Sequence, residues 1–362
     1  MSAKVSICLP LYNGARFLKQ AIESIIYQDF EDFELLIADD ASTDESYEIA
    51  SDYSTKDKRV FCWCNKERLG LFNNYNLCIE RAKGEYIKPF AQDDLLETSA
   101  LAKMTDVLDG FPKVSLVSCA KRWIDKTGAS IKQITQFEHD CSIPGKDVII
   151  ANLILLTNWI GEPSAVMFRS KYKGNGFDPH YYHYGDIEYW FRILEHGDLY
   201  YLSDSLCNFR KHEKSSTTTN LAGLYFASDI VRLGYKYEKY LIELGESQDH
   251  FGARAAEVVA LHLDHLVRKE DLSIEEVVQT NPSFKNVYYT DEVAEFRRAL
   301  FYAERRITSL MEELIATQNE LEHRQAECLH LQTALNQMNR SVSWRLTAPL
   351  RNVRQRLGQP EQ

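Results

Sequence analysis

Four short apolar runs, each ending in a polar cluster and followed by a helix-periodic segment, constrain the first part of this chain to one kind of fold. The runs are Val5–Leu9, Phe33–Ala38, Val60–Cys64 and Glu85-Tyr86-Ile87-Lys88-Pro89-Phe90. Apolar side chains on both faces are what a central strand of a covered sheet needs. Helical spacing separates the runs: Phe17, Leu18, Ile22, Ile25 and Ile26 after the first, and Leu71, Tyr75, Leu77, Cys78 and Ile79 after the third. Pro10, which has no N–H to donate, is expected to stop the first ladder. Asn13-Gly14 supplies a turn, and Ser42 with Glu45 is expected to form a capping box for the second helix. Strands alternating with helices imply parallel pairing and right-handed crossovers. The expected class is therefore α/β, a mostly parallel sheet flanked by helices.

Parallel strands bring the clusters Tyr12-Asn13, Asp39-Asp40, Asn65 and Asp93-Asp94 to one sheet edge. Ligands bind outside the carboxyl ends of the strands in such sheets. Asp93 and Asp94 repel one another and need a cation or hydrogen-bond donors nearby. They read as the floor of a site for a divalent cation and an anionic ligand. The alternative is that Asp94 only caps a helix over Leu95–Asp109; the convergence of four polar clusters favours the site. Neither glycine-rich phosphate fingerprint occurs, so backbone N–H groups do not wrap a phosphate here. A nucleotide would need its diphosphate balanced by a metal and by basic side chains such as Arg68.

Farther on, Val114–Ala120 is another apolar strand, and Thr157–Phe168 is a loop feeding a strand. Trp159 in that loop suits stacking on a sugar ring; a buried core indole is the alternative. Tyr184–Arg192 opens a helix with Ile187, Trp190, Phe191 and Leu194 as its buried stripe, and Asp186 at its start is either an N-cap or a carboxylate offered to the site. Asn208–Ser216 carries Arg210, Lys211 and His212 at a strand end. There an imidazole can complete a metal shell and a cation can neutralise a leaving group; the alternative is a solvated loop.

On these segments the chain resembles family 2 glycosyltransferases of the GT-A fold, the Rossmann-like fold of nucleotide-diphospho-sugar transferases. The matching stretches are Val5–Gly14, Phe33–Asp44, Asn65 with Gly70, and Gly84–Asp94, and the likeness extends over roughly residues 3 to 215. The resemblance implies an inverting, metal-dependent transferase of hexosyltransferase type that uses a UDP- or dTDP-sugar and Mn2+ or Mg2+. Asp40 resembles the carboxylate that accepts the base N3–H. Pro10, Tyr12 and Asn13 resemble the loop at the base. Asp93 resembles the residue that contacts ribose and metal, and Asp94 the metal ligand on the diphosphate. A helix start like that at Asp186 carries the catalytic base, with Glu188 second to it, and His212 matches a segment that reaches the metal. Many members have an aspartate where this chain has Ala91. Two carboxylates acting on a sugar also suit hydrolysis, but the strand-end cluster with a base-reading Asp40 favours transfer. The other reading is a catalytically silent scaffold with a relic GT-A domain, which Ala91 alone favours.

Net charge is −11, which argues against nucleic acid as a partner, since phosphate backbones need a basic surface. The eight cysteines show no zinc or redox spacing and read as free thiols in a reducing compartment. No signal peptide and no membrane-spanning run are visible, so a cytoplasmic protein is expected. The expected divisions are a catalytic domain at 1–220, a helical region at 221–290, a coiled coil at 291–340 and a basic amphipathic tail at 341–362. From Val293 to Met338 a mostly apolar seam alternates steps of three and four without a slip, with Thr317 and Arg324 as polar positions that suit fixing the register. At about 1.5 Å per residue that helix spans about 70 Å, and it is expected to form a homo-oligomer; folding back on the catalytic domain is the alternative. The tail mixes Trp344 and leucines with arginines, and five arginines but no carboxylate lie between Arg340 and Pro360. It suits either the anionic inner face of the cytoplasmic membrane or a docking partner. It also resembles a Ser-Trp-Arg-Leu-Thr-x-Pro-Leu-Arg tail of bacterial cell-surface polysaccharide glycosyltransferases. A glycan or lipid-linked glycan precursor is the expected acceptor.

Overall fold

The computed structural model describes residues 3–212 and 225–243, with positions 245, 251, 252 and 255. The expected coiled coil at 291–340 and tail at 341–362 lie outside the described residues, as does most of the 221–290 region. The strands are β1 (Val5–Leu11), β2 (Phe33–Asp39), β3 (Val60–Cys64), β4 (Tyr86–Pro89), β5 (Leu95–Leu96), β6 (Val114–Ile124), β7 (Ser130–Ile134), β8 (Cys141–Ile143), β9 (Val166–Arg169) and β10 (Asp198–Arg210). The helices are α1 (Ala15–Ile26), α2 (Ser46–Lys56), α3 (Leu71–Arg81), α4 (Ala100–Gly110), α5 (Gly145–Leu155), α6 (Gly185–Leu194), α7 (Tyr225–Lys236) and α8 (Glu238–Glu243).

One mixed sheet runs in the order β3-β2-β1-β4-β9-β6-β10-β5, with β7 on β6 and β8 on β10. β1 pairs in parallel with β2 and β4, β2 with β3, and β6 with β10. β9 runs antiparallel to both β4 and β6, so β6 and β10 point the same way as the first four strands. The carboxyl ends of six strands therefore share one edge.

Two apolar layers cover the sheet. Val5, Ile7, Leu9 and Leu11 of β1 join Leu18, Ile22 and Ile25 of α1 and Leu101, Met104 and Leu108 of α4 in one cluster. Cys8 faces the other way, into a cluster with Tyr75 and Ile79 of α3, Ile149 of α5, and Ile187, Trp190 and Phe191 of α6. Phe226, Ile230 and Leu233 of α7 extend that second layer, so the described part of the helical region packs on α6.

Three local expectations are corrected. Pro10 does not end the ladder: it pairs with Ala38 inside β1. Cys8 O accepts the Phe90 N–H, and the β4 pairing stops at Cys8↔Pro89. Two residues on, Pro10 would aim an N–H at that same side, where no strand remains, so the missing donor costs no ladder bond. No helix starts at Leu95; β5 intervenes and α4 begins at Ala100, which removes the helix-cap reading of Asp94. Ser42 caps nothing, because its Oγ accepts the Asn13 N–H (3.0 Å) while Asp44 Oδ1 accepts the Ser46 N–H at the start of α2 (3.1 Å). Among the described residues no helix is long and apolar enough to cross a membrane.

Candidate active site

The loops after β1 and β2 lock together. Asn13, with φ 47°, accepts the Thr43 N–H on Oδ1 at 2.8 Å. Asn13 is thus a strut between the two loops. Gln92 clamps the first loop from the far side. Its Oε1 accepts the Tyr12 N–H (2.8 Å) and its Nε2 donates to Tyr12 O (3.1 Å), a strand-like pair made by a side chain. A Cβ at Gly14 would lie 2.6 Å from that amide, so only glycine lets Gln92 close on the loop. The Arg68 guanidinium stacks 4.2 Å over the Tyr12 ring, bringing the ends of β1 and β3 together.

Asp40 sits behind this pair with 2% of its surface exposed. Oδ1 accepts the Leu69 N–H (2.7 Å) and Asn65 Nδ2 (3.0 Å), and Oδ2 accepts the Gly70 N–H (2.9 Å). The carboxylate therefore fastens the loop that carries Arg68. One acceptor position remains on Oδ2, the one a base N–H could use.

Asp93 and Asp94 follow β4. Asp94 is buried; Oδ1 accepts the Arg210 N–H at 2.9 Å, and Oδ2 has no hydrogen-bond partner among the described residues. Burial first, and the Asp93 charge second, push its pKa up to about 8, while the Ser164 hydroxyl and the Arg210 N–H act against that. His212 Nε2 lies 2.7 Å from Asp93 Oδ2. With that nitrogen on Asp93, His212 orients the carboxylate rather than standing free for a metal. Arg210 is also turned away from solvent: Nε donates to Asp93 O (2.8 Å), Nη1 to Asp125 O (3.1 Å) and Nη2 to Gln20 Oε1 (2.9 Å). Expected as a cation for a leaving group, Arg210 is instead the bolt that holds the Asp93-Asp94 turn. Lys211 lies 4.2 Å over the Trp123 ring and within electrostatic reach of Glu162, Lys121 and Asp94.

The third wall is the turn before β9. Trp190 Nε1 of α6 donates to Gly161 O at 3.0 Å. Ser164 Oγ accepts the Ala91 N–H (2.9 Å), and the fully buried Lys88 donates to Ser164 O (2.6 Å) and Pro89 O (3.2 Å). Burial pushes the Lys88 pKa down to about 8. The turn so fixed presents Glu162 in an ion pair with Lys121. The Glu162 charge adds to the raised pKa of both Asp94 and Asp186, so it lies within electrostatic reach of each.

Asp186 opens α6. Its Oδ2 accepts Asn158 Nδ2 at 3.1 Å, and Oδ1 accepts the Ile187 N–H at 2.8 Å. Asn158 cannot turn its amide over, because its Oδ1 accepts the Ile160 and Gly161 N–H groups. Burial pushes Asp186 up to about 7, with Glu162 adding to the shift and the Ile187 N–H and Lys121 opposing it. Glu188, the second choice for the base, is corrected. Two residues along a helix is about 200° of rotation, so Glu188 points away from Asp186. It is 0% exposed and is held by Arg192 Nε (2.8 Å) and Lys236 Nζ (2.6 Å) as a structural ion-pair centre. Trp159 is neither free nor core: it is half-buried, its N–H bonded to Asn152 Oδ1 and its ring edge-on to Phe137.

Sequence reasoning missed Gln92, Lys88, Lys121, Asn158, Glu162 and Ser164. Only Lys88 left a signal, a lysine inside an apolar run, since a buried ammonium must find acceptors.

No three His, Cys, Asp or Glu side chains among the described residues form a preformed metal cage. The donor set nonetheless fits a hard cation of the Mg2+ type, which takes one or two carboxylates and completes its shell from water and substrate phosphate. The unpartnered Asp94 Oδ2 is the oxygen such an ion would satisfy.

Comparison with known proteins bears on the family of the first part of the chain and on the fold. The model of the family described as Glycosyl transferase family 2 matches residues 6–172. That segment holds every strand-end cluster up to Glu162 but stops short of Asp186 and His212. An uncharacterized glycosyltransferase of Rickettsia typhi is 28% identical over 222 residues, 61% of this chain and 68% of that one. Among solved structures, S. aureus TarS 1–349 in complex with UDP-GlcNAc superposes with a TM-score of 0.58 at 17% identity, over 82% of this chain and 81% of that one. The mannosyltransferase PcManGT of Pyrobaculum calidifontis, in complex with GDP-Man and Mn2+, gives 0.50 at 16% identity, over 85% and 88%. At these identities the structural likeness is one of fold.

Proposed function

We propose, on the premise that residues 6–172 form a family 2 glycosyltransferase domain, that this glycosyltransferase moves a sugar from a UDP- or dTDP-sugar to a glycan or lipid-linked glycan precursor, with inversion at the anomeric carbon. The observation that carries the reading is a pair of carboxylates on different elements, buried Asp94 and half-buried Asp186, both within electrostatic reach of Glu162. Asp94 has an unsatisfied oxygen suited to a cation, and Asp186 has a pKa pushed up to about 7. Asp186, when ionised, takes the proton of the acceptor hydroxyl. The hydroxyl oxygen bonds to the anomeric carbon while the bond to the diphosphate oxygen breaks, and the diphosphate leaves with the electron pair. Lys211 faces that departing charge. A divalent cation, Mn2+ or Mg2+, held by Asp94 and Asp93, would supply Lewis-acid stabilisation of the diphosphate. Tyr12 and Arg68 make a flat platform for the base, and Asp40 Oδ2 keeps an acceptor for its N–H.

What supports a surface-glycan acceptor is the resemblance of the arginine-rich tail at 341–362. The seam from Val293 to Met338 supports a homo-oligomer, and the tail supports a place at the inner face of the cytoplasmic membrane. The test is nucleoside diphosphate release by the full chain from a panel of UDP-, dTDP- and GDP-sugars with Mn2+ or Mg2+. We expect metal-dependent release from one UDP- or dTDP-sugar. Turnover of GDP-sugars alone, or of none by a folded protein, contradicts the reading.

A further inference from the structure

Asp229 lies on α7, beyond the segment that matches the family and beyond the sheet. It is 0% exposed. Its Oδ2 accepts three consecutive backbone N–H groups, of Tyr182 (2.9 Å), His183 (2.6 Å) and Tyr184 (2.9 Å). Tyr184 is the residue from which α6 starts, and Glu188 N–H donates to its carbonyl at 2.9 Å in the first turn. Asp186 is two residues further on. Arg232, one turn after Asp229, donates to His180 O, so α7 fastens the same loop at a second point. Beneath these tethers Ile230 and Leu233 pack in one cluster with Ile187 and Phe191 of α6. At Gly185 a Cβ would lie 2.5 Å from the Phe72 ring, so the helix start is seated against α3 as well.

We propose that Asp229 is a positioning residue for the base: through the 182–184 backbone it fixes where α6 begins and so where Asp186 points. The inference rests on the assignment of Asp186 above. Stability alone gives a poor reason for such a group. Its Oδ1 has no hydrogen-bond partner among the described residues, and an ionised carboxylate buried in that state is costly. What the three N–H bonds achieve is a rigid loop. An error of about 1 Å at a catalytic group can cost about 10²-fold in rate.

The test is steady-state kinetics on Asp229→Ala, which removes the acceptor, with Asp229→Asn beside it as the conservative variant whose amide oxygen can still take the three N–H groups. The groups facing Asp186 itself, Glu162 and Lys121, are untouched by either change. We expect kcat to fall about 10- to 100-fold with donor KM within twofold. The acid limb of kcat/KM moves below its wild-type midpoint, because a loosened Asp186 is better solvated. A folded Asp229→Ala variant with wild-type kcat and acid limb overturns the inference, and so does an Asp229→Asn variant that recovers no more activity than Asp229→Ala. So does a fall in kcat matched by an equal rise in donor KM. Asp186→Asn measured alongside separates the two readings: if it stays active the base assignment fails, whereas if it is dead and Asp229→Ala is normal, only the positioning role falls.

Discussion

Asp186→Asn stops glycosyl transfer and leaves the donor bound. The expected loss in kcat is about 10²–10⁴-fold, the usual contribution of a positioned general base, with donor affinity within twofold of wild type. Asparagine can keep an oxygen on Asn158 Nδ2, which is locked in place by its own bonds to Ile160 and Gly161, and gives up only the bond from the Ile187 N–H, so the side chain stays in position while basicity does not. The wild-type enzyme carries the matching pH signature. Its base works only when ionised, and burial holds the Asp186 pKa at about 7, so kcat/KM rises with pH through about 7 and is flat above. The same shift sets the sign of the stability effect. The folded pKa lies above the unfolded one, so the folded state holds a proton that the unfolded state has released. Stability from this group is full below the unfolded pKa and is lost as pH rises through about 7. At pH 8 Asp186→Asn removes a half-buried charge, and Tm is expected to rise by about 2–4 °C, the shift that ~1 kcal/mol gives a domain of this size. Thermal melts at pH 5 and pH 8 check this, and the gain should be larger at pH 8 than at pH 5.

Arg210→Ala strikes the fold rather than the chemistry. Its guanidinium links α1 through Gln20, the Asp93 carbonyl and the Asp125 carbonyl, and lies 4.6 Å over the Phe17 ring. Truncation takes the donor from three part-buried bonds, empties the space of a side chain that is itself buried, and removes a cation beside Asp93 and Asp94. The expected loss is at least ~3 kcal/mol, a fall in Tm of about 6–12 °C. Arg210→Lys should recover little, because an ammonium on a flexible stem cannot span three acceptors in different directions. Denaturant titration of both variants checks this, and a Lys variant as stable as wild type would show that charge, not the fork, holds the turn.

The sheet edge was legible because its signal is local. An apolar run that breaks into Asp39-Asp40 or Asp93-Asp94 marks a strand end, and alternation with helices puts strand ends together. What was not legible is who holds whom. Gln92 and Tyr12 are 80 positions apart, and Arg210 and Gln20 are 190 apart; nothing in either local stretch announces the other. Glu162 sits in an unremarked Gly-Glu-Pro turn, and only its neighbours, Lys121 and the two aspartates, give it meaning. Glu188 shows the opposite error. Its residue type matched the chemistry, but helix geometry turned it to Arg192 and Lys236. Pro10 misled because its cost depends on which neighbouring strand is still present. Asp229 carried no sequence signal, since a carboxylate that binds backbone N–H groups needs no particular residue opposite it.

The most direct test of the central claim is calorimetric titration of the full chain with UDP and with dTDP, with and without Mn2+, in wild type and in Asp94→Ala. The account predicts binding of one of these nucleotides that is strengthened by Mn2+ in wild type, and no Mn2+ effect once the carboxylate with the unsatisfied oxygen is gone. Binding that ignores the metal, or a metal effect that survives in a folded Asp94→Ala protein, contradicts the placement of the cation. Absence of binding to either nucleotide contradicts the donor site itself.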